Sequence, residues 1–242
     1  MTARPGPSWA HEAELWADGY RVVAGIDEAG RGAWAGPVVV AVVLLPVTCH
    51  PFVDSKTVGP ERREGLAAEV RDRALAWVIS EASSSEVDAL GVLRATLAAA
   101  ERGVRALVGG VEPVSELRRR TRARLEGLVT DYLALPSIVW GEWGGPTGLR
   151  CPARADLASY QVAAASLLAK THRDALMRSA AVRWPMYGFE RHKGYGAPLH
   201  RAALERYGPC PLHRRSFRPV AASSPGLSSE PTEGPPCQTP SV

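Results

Sequence analysis

Residues 24–37, Ala-Gly-Ile-Asp-Glu-Ala-Gly-Arg-Gly-Ala-Trp-Ala-Gly-Pro, join the end of a strand to two adjacent carboxylates and a run of glycines. Upstream, the chain is mostly apolar and β-branched, which predicts a buried strand over residues 20–27. Asp27 and Glu28 do not help a hydrophobic core, because burying an unpaired carboxylate costs several kcal/mol. A bound divalent cation would remove that cost, so the pair indicates a metal site, with a polar surface turn as the alternative.

The glycines after this pair indicate a ligand-binding turn. Gly30 and Gly32 flank Arg31, so the backbone can approach a ligand closely while a guanidinium lies between the two glycines.

Composition narrows the class of protein. The chain has 242 residues, enough for one α/β domain with appendages or for two small domains, and its 45% hydrophobic and 22% charged residues are typical of a globular protein. It has no run of about 18 apolar residues and no amino-terminal secretory pattern, so we expect neither a membrane span nor a signal peptide. Four cysteines without CxxC spacing fit reduced thiols, which predicts a cytoplasmic protein without a zinc site.

The charge distribution points to a polyanionic partner. The net charge is +4, a mild indication of nucleic acid. Of the 29 basic residues only Lys56, Lys170 and Lys193 are lysines, and these either mark positions that need a compact ammonium or are chance survivors. An arginine-rich run over residues 117–125 has helical spacing, and it either lies along a phosphate backbone or forms a solvated helix face.

The order of elements predicts an α/β fold with a mixed sheet and helices on its faces. The predicted strands cover residues 20–27, 36–47, 74–81, 136–143 and 149–153, and the predicted helices cover residues 61–75, 83–108, 157–181 and 198–207. The second strand is almost continuously apolar, which indicates burial on both faces. Residues 1–19 are expected to form a leading arm, residues 20–218 one domain, and residues 219–242 a disordered Pro/Ser-rich tail.

Acidic residues stand at the predicted ends of several elements, namely Asp27, Glu28, Glu142 and Asp156. If strands one and four are neighbours, these carboxylates converge on one edge of the sheet. Oxygen ligands without histidine or thiolate select Mg²⁺ or Mn²⁺, and two such ions about 3.5–4 Å apart are the usual device for in-line phosphoryl chemistry. Asp131 is a rival of Glu142 for the position of the third ligand. We rank it below Glu142 because we expect it to precede strand four.

Several motifs follow one another along the chain. They are GIDEAGRG at 25–32, DSK at 54–56, AAASLLAK at 163–170 with RD at 173–174, YGF at 187–189 with HKGYG at 192–196, and HRRSF at 213–217. In these motifs the chain resembles type 2 ribonucleases H (ribonuclease HII). The resemblance implies a ribonuclease H-like catalytic domain, with a five-stranded mixed sheet, flanking helices and a C-terminal helical extension.

The same resemblance implies an activity and its cofactors. It implies a monomeric endoribonuclease that hydrolyses the phosphodiester 5′ to ribonucleotides embedded in DNA duplexes, and the RNA of RNA–DNA hybrids, with two Mg²⁺ or Mn²⁺ ions. Gly30-Arg31-Gly32 match the turn that holds the 2′-hydroxyl and adjacent phosphates. Tyr195 matches a tyrosine under the sugar of the following deoxynucleotide, where a 2′-hydroxyl would clash. Lys56 and Lys193 match phosphate contacts, and Lys170 is either a further contact or a helix-surface charge.

One position departs from the family pattern. Asp27, Glu28 and Asp156 match members of its carboxylate quartet, whereas the aspartate after strand four is replaced by Glu142. The added methylene moves a carboxylate by roughly 1–1.5 Å, and a misplacement of about 1 Å can cost on the order of a hundredfold in rate. This departure favours a catalytically weakened or inactive nucleic-acid-binding relative as the alternative; a nuclease that cuts all-DNA substrates is the third hypothesis.

Two motif segments are expected to be structural. We predict that His192 is a hydrogen-bonded core residue and that residues 213–217 fasten the C-terminal segment to the domain.

Overall fold

The structure is a computed structural model, and it describes residues 6–109, 125–131 and 147–223. The strands are β1 (Val23–Ala29), β2 (Val38–Leu44), β3 (Ala76–Ala82), β4 (Gly127–Thr130) and β5 (Gly148–Arg150). The helices of these ranges are α1 (Ala10–Ala17), α2 (Pro60–Arg73), α3 (Ser84–Leu90), α4 (Val92–Gly109), α5 (Tyr160–Arg183), α6 (Phe189–His192), α7 (Pro198–Tyr207) and α8 (Arg218–Ala221). Single 3₁₀ turns lie at Ser55–Thr57, Ala155–Leu157 and Pro185–Tyr187.

One five-stranded sheet has the order β3-β2-β1-β4-β5. The strands β1, β2 and β3 are antiparallel neighbours, whereas β1, β4 and β5 run parallel to one another. The predicted mixed sheet with flanking helices is confirmed. β1 is central, so whatever stands at its carboxyl end lies between β2 and β4.

The core consists of two apolar layers on either side of β2, and every residue of that strand is buried. Because side chains alternate across a strand, Val38, Val40 and Val42 pack with α3 and α4, while Val39 and Val43 pack with α2 and α5. Each fully buried valine contributes about 1.5–3 kcal/mol. The prediction of a strand buried on both faces is confirmed.

The helix α5 lies directly against β1. A Cβ atom at Gly25 would be only 2.4 Å from the backbone carbonyl carbon of Gln161, which no real Cβ contact allows. Glycine at this position is therefore what brings α5, with its polar side chains, close to the centre of the sheet.

The C-terminal extension surrounds a second apolar cluster, with Phe189, Leu204 and Val220 packed near Met177 of α5. The predicted boundary of the disordered tail at residue 219 is wrong, because α8 covers Arg218–Ala221 and Val220 is fully buried. One valine in a polar segment gave no pattern in the sequence, yet it anchors this short helix. Residues 224–242 lie outside the described residues.

The described part of the leading arm contains α1, which packs on the sheet end. Leu15 is fully buried, and Arg150 of β5 forms ion pairs with Glu14 at 3.0 Å and Asp18 at 2.5 Å. Glu12 accepts a hydrogen bond from Ser159 Oγ, the residue that caps the start of α5.

The position of strand four is a correction. We expected strand four to cover residues 136–143, which lie outside the described residues, whereas the strand that pairs with β1 is β4, Gly127–Thr130. Both sides of β1 are occupied by β2 and β4, so its neighbouring strand ends directly before Asp131. Asp131 thus follows a strand, contrary to our expectation. Glu142 and residues 117–124 of the arginine-rich run lie outside the described residues.

Smaller boundary differences have local causes. β1 extends to Ala29, so Asp27 and Glu28 belong to the strand. The long helix predicted over residues 83–108 is interrupted at Gly91, whose φ of +78° ends α3 before α4 begins.

Candidate active site

The carboxyl end of β1 places two acids in one cleft. Asp27 is 6% exposed, and Ser166 of α5 lines the same cleft. Glu28 is half-buried, and Oε1 accepts a hydrogen bond from Arg31 Nη1 at 3.2 Å. Asp27 and Glu28 are therefore inside the fold and not on a surface turn.

The parallel strand β4 brings Asp131 to the same edge. Its last residue, Thr130, is paired with Ile26, so Asp131 is the next residue in register beside Asp27. Asp131 Oδ1 accepts a hydrogen bond from the Ala155 amide at 3.0 Å. This bond ties the end of β4 to the 3₁₀ turn that carries Asp156.

Asp156 is 3% exposed and contacts a lysine from a distant loop. Its Oδ2 accepts a hydrogen bond at 3.0 Å from Lys56 Nζ. Lys56 lies in the turn after Asp54, whose carboxylate accepts from the Lys56 amide at 2.9 Å. Arg63 of α2 holds this turn by donating to the carbonyl of Ser55 at 2.7 Å.

The carboxylates destabilise one another's charge. Burial, with the negative charges of Glu28 and Asp131, raises the pKa of Asp27 well above its ordinary value. Burial also raises the pKa values of Glu28 and Asp131, against the opposing effect of Arg31 at Glu28 and of the Ala155 amide at Asp131. Such an excess of buried negative charge is what a bound cation neutralises.

Lys56 partly compensates this charge. Partial burial opposes its charged form, but the hydrogen bond to Asp156 and the attraction of Asp54 and Asp27 raise the pKa of Lys56 to about 12. Lys56 is therefore a permanent cation at the carboxylate cluster.

The donor set fits hard cations. Glu28 Oε2 is buried and has no hydrogen-bond partner among the described residues, and every nearby acidic ligand atom is an oxygen. Within residues 6–109, 125–131 and 147–223, however, no three acidic, imidazole or thiol groups already form a closed metal-ligand set. The reason is visible in the contacts above, because Arg31, the Ala155 amide and Lys56 each hold one carboxylate. Metal binding would exchange these donors for the ion.

The glycine-rich turn borders the carboxylates. Gly30 has a φ of +96°, and a Cβ there would lie 2.0 Å from Arg173 Nε, so only glycine fits. A Cβ at Gly32 would meet nothing within 4 Å. Gly32 thus leaves its backbone open toward the cleft.

Two fully buried arginines support this turn, a structural role that sequence reasoning did not assign to them. Arg173 donates to the carbonyls of Pro37, Lys193 and Ala35 at 2.9–3.0 Å. Arg214 donates to the carbonyls of Gly36 and Arg31 at 2.8–3.0 Å. Burial, and then the charge of Arg173, lowers the pKa of Arg214 to about 10. Both lie in the motifs RD and HRRSF, which was the only signal available.

The segment after α6 places Tyr195 at the far side of the cleft. Tyr195 is 39% exposed, and its ring lies 5.2 Å from the Arg173 guanidinium carbon and 6.0 Å from Lys170 Nζ. Lys170 also donates to Asp174 at 2.7 Å. Lys193 lies apart from the cleft lining, and its ammonium contacts the carbonyl of Glu190.

Two hydrogen-bonded histidines, His213 and His200, hold the backbone of Tyr195 in place. The Cys210 amide donates to His213 Nδ1 at 2.9 Å, so the ring proton of His213 is on Nε2 and points to His200 Nε2, 3.0 Å away. His200 then donates from Nδ1 to the Tyr195 carbonyl at 2.9 Å. Burial lowers the pKa values of His200 and His213 to about 4, which keeps both rings neutral.

The predicted attachment of residues 213–217 is confirmed, and so is the predicted hydrogen bonding of His192, although that residue is not in the core. His192 is half-buried and bonded to the Tyr187 carbonyl at 2.8 Å and the Gly194 amide at 3.2 Å. Residues 213–217 are fastened by Arg214, whose amide donates to the Trp34 carbonyl, and by Ser216, which bonds Asp88.

The cleft as a whole has a volume of about 430 Å³. Its lining brings together the predicted residues Asp27, Glu28, Gly30, Arg31, Gly32, Lys56 and Tyr195, and adds Ser55, Asp131, Ser166 and Lys170. Asp156 lies behind Lys56 and does not line it. Carboxylates beside an open backbone turn, three cations and an exposed aromatic ring are suited to hold a phosphodiester and its sugar.

A family model described as Ribonuclease HII matches residues 24–220. A ribonuclease HII of Thermus thermophilus is 50% identical over 210 residues, covering 87% of this chain and 92% of the relative. Ribonuclease HII of Hyphomonas neptunium is 42% identical over 205 residues, covering 84% and 96%.

Solved structures share the fold. Ribonuclease H2 from Pyrococcus horikoshii OT3 superposes with a TM-score of 0.67 at 22% identity, covering 84% of this chain and 97% of that one. A ribonuclease HIII described in complex with Mn²⁺ gives a TM-score of 0.59 at 16% identity, covering 84% and 69%. No helix among the described residues combines the length and apolar character that a bilayer crossing requires.

Proposed function

Because the chain belongs to the ribonuclease HII family, whose members are divalent-metal-dependent ribonucleases H acting on nucleic acid, we propose that it cleaves 5′ to ribonucleotides embedded in DNA duplexes. RNA in RNA–DNA hybrids is the second substrate, and the products carry 3′-hydroxyl and 5′-phosphate ends. The observation that carries the proposal is the meeting of Asp27, Glu28 and Asp131 in one cleft with the open turn at Gly32 and with Tyr195.

The ligands proposed for two Mg²⁺ or Mn²⁺ ions are Asp27, Glu28, Asp131 and Asp156. When bound, such ions supply activation of the attacking water and stabilisation of the leaving 3′-oxygen. The unpartnered Glu28 Oε2 and the raised pKa values of Asp27, Glu28 and Asp131 support this assignment. All four side chains come from one chain, which supports a monomer as the functional unit.

The proposed reading of the substrate uses the opposite wall. The backbone at Gly30–Gly32 and the Arg31 guanidinium contact the 2′-hydroxyl and its phosphates, since no side chain at Gly32 obstructs approach. The Tyr195 ring supports the sugar of the next deoxynucleotide. The Arg173 guanidinium restrains this ring, and His200 holds the Tyr195 backbone carbonyl, so a 2′-hydroxyl is excluded there. Lys56 contacts a phosphate once it leaves Asp156. Lys193 is proposed as a further phosphate contact, which requires its ammonium to leave the Glu190 carbonyl.

The direct test is cleavage of three labelled duplexes, with one ribonucleotide, with an RNA strand, and with DNA only, in Mg²⁺ and in Mn²⁺. We expect a single cut 5′ to the lone ribonucleotide, cleavage of the hybrid, and an intact DNA duplex. Cutting of the DNA duplex would instead favour the unspecific nuclease, and binding without cutting would favour the inactive relative. That inactive alternative depended on Glu142 as the third carboxylate, and Asp131 beside Asp27 leaves it without a supporting observation.

A further inference from the structure

Next to Tyr195 lies a surface that we name the Trp34–Arg201 shelf, formed by Trp34, Gly196 and Arg201. The Arg201 guanidinium carbon lies 5.5 Å from the centre of the Trp34 ring. Trp34 follows the glycine-rich turn by two residues, while Arg201 comes from α7 in the C-terminal extension. The shelf therefore connects the glycine-rich turn with the C-terminal extension.

The position of the Trp34 ring is fixed by its surroundings. Its amide donates to the Gly194 carbonyl at 2.8 Å, and a Cβ at Gly196 would lie 2.2 Å from the ring. The ring thus rests on the backbone of the residue that directly follows Tyr195. Any strand that crosses Tyr195 and continues past Gly196 meets the shelf.

Arg201 differs from the three cations that line the cleft in having no carboxylate partner among the described residues. Arg31 contacts Glu28, Lys56 contacts Asp156, and Lys170 contacts Asp174. Arg201 is exposed and forms no ion pair with any carboxylate of the described residues. Stacking on an indole restricts the guanidinium while leaving its N–H groups free, which favours binding of a phosphate.

We propose that Arg201, held by Trp34, binds the DNA phosphate backbone on the 3′ side of the ribonucleotide, beyond the nucleotide at Tyr195. The proposal rests on the proposed function for the direction of the strand across the cleft. The partner of the shelf is then the phosphate backbone of DNA, which Arg201 binds through its charge and without recognising the base sequence.

The test is equilibrium binding by fluorescence anisotropy in Ca²⁺ without turnover, on two duplexes that each contain one ribonucleotide. One extends about a helical turn on the 3′ side, and the other ends after the first 3′ deoxynucleotide. For Arg201→Ala we expect roughly tenfold weaker binding of the long duplex. The slope of log K against log salt should become shallower by about 0.9, the value for one phosphate, and binding of the short duplex should not change.

The matched control is Arg206→Ala. Arg206 is also on α7 and also lies over an aromatic ring, 5.2 Å from the centre of Tyr207, but away from Trp34. We expect Arg206→Ala to bind both duplexes with the same affinity as the wild-type protein. Trp34→Leu, checked for folding by thermal melting, should give part of the Arg201→Ala loss on the long duplex only.

Three outcomes would overturn the inference: no effect of Arg201→Ala, an equal loss on both duplexes, or an equal loss in Arg206→Ala. Failure of the proposed function would be seen separately, as an absence of ribonucleotide-directed cleavage by the wild-type protein. The binding measurement does not require that cleavage.

Discussion

Asp131 and Glu142 are two candidates for one role, and single substitutions separate them. Asp131 follows the strand paired with β1 and raises the pKa of Asp27 through its charge, so we expect Asp131→Asn to lower kcat by at least about a hundredfold. Glu142→Gln should remain within about threefold of wild type. Single-turnover cleavage of the single-ribonucleotide duplex measures both, and the reverse ranking would restore Glu142 as the ligand.

Lys56 should compete with the metal for Asp156. Its ammonium is 3.0 Å from Asp156 Oδ2, so removing it in Lys56→Met should tighten Mn²⁺ binding by about three- to tenfold. We expect no more because the Lys56 side chain is 72% exposed. Titration calorimetry without substrate measures this, while substrate binding should weaken.

The control for Lys56 is Lys170→Met, because Lys170 pairs with Asp174, which is not a proposed ligand. Its Mn²⁺ affinity should equal that of the wild type. Equal tightening in both variants would mean that general charge, and not exchange at Asp156, governs the metal affinity.

For single residues, the sequence showed which acidic side chains are neighbours along the chain, but it did not show which arginines are buried. Asp27 and Glu28 could be found because two acids interrupt an apolar strand pattern. The roles of Arg173 and Arg214 could not, since an arginine bonded only to carbonyls has the same sequence pattern as one on the surface. Their partners exist only after the two loops have folded.

The pairing of α5 with β1 depends on a missing side chain, and a second glycine provides the comparison. Gly25→Ala would push a Cβ against the Gln161 backbone, so we expect a loss of about 1–3 kcal/mol in the free energy of unfolding. Gly32→Ala meets nothing within 4 Å and should unfold as the wild type does.

Activity should separate the same two variants in the opposite sense. The added methyl at Gly32 lies in the cleft, so Gly32→Ala should weaken substrate binding although its stability is intact. Denaturant unfolding combined with KM measurements gives both quantities. A destabilised Gly32→Ala, or a fully stable Gly25→Ala, would contradict this account of the two glycines.

Long elements were predictable, and the short strand that completes the site was not. β2 is a run of seven apolar residues and α5 is a 24-residue helix rich in alanine, so their length and composition predict them. β4 has four residues, Gly-Leu-Val-Thr, too few for any pattern. We therefore predicted strand four in the more apolar run over residues 136–143. Residues 127–130 form a strand because they pair with β1.

The buried carboxylates of the cleft lower the stability of the whole metal-free protein. Burial raises the pKa of Asp27 in the folded state, so the folded protein binds more protons than the unfolded chain between the two pKa values. The resulting loss of stability is absent below the unfolded pKa, grows as pH rises, and is complete above the folded pKa. The metal-free protein should therefore gain stability from Asp27→Asn at neutral pH.

We expect the melting temperature of metal-free Asp27→Asn at pH 7 to exceed that of the wild type by roughly 2–4 °C per kcal/mol of relieved burial cost and charge repulsion. This difference should shrink as pH falls through the raised pKa of Asp27. Mn²⁺ should raise the melting temperature of the wild type, because it binds only the folded cleft, and should raise that of Asp27→Asn much less. Asp72→Asn, which changes an exposed carboxylate of α2, should match the wild type throughout. A wild-type protein that melts above Asp27→Asn without metal would show that Asp27 stabilises the fold, and the cleft would then lack the excess negative charge on which its proposed metal binding depends.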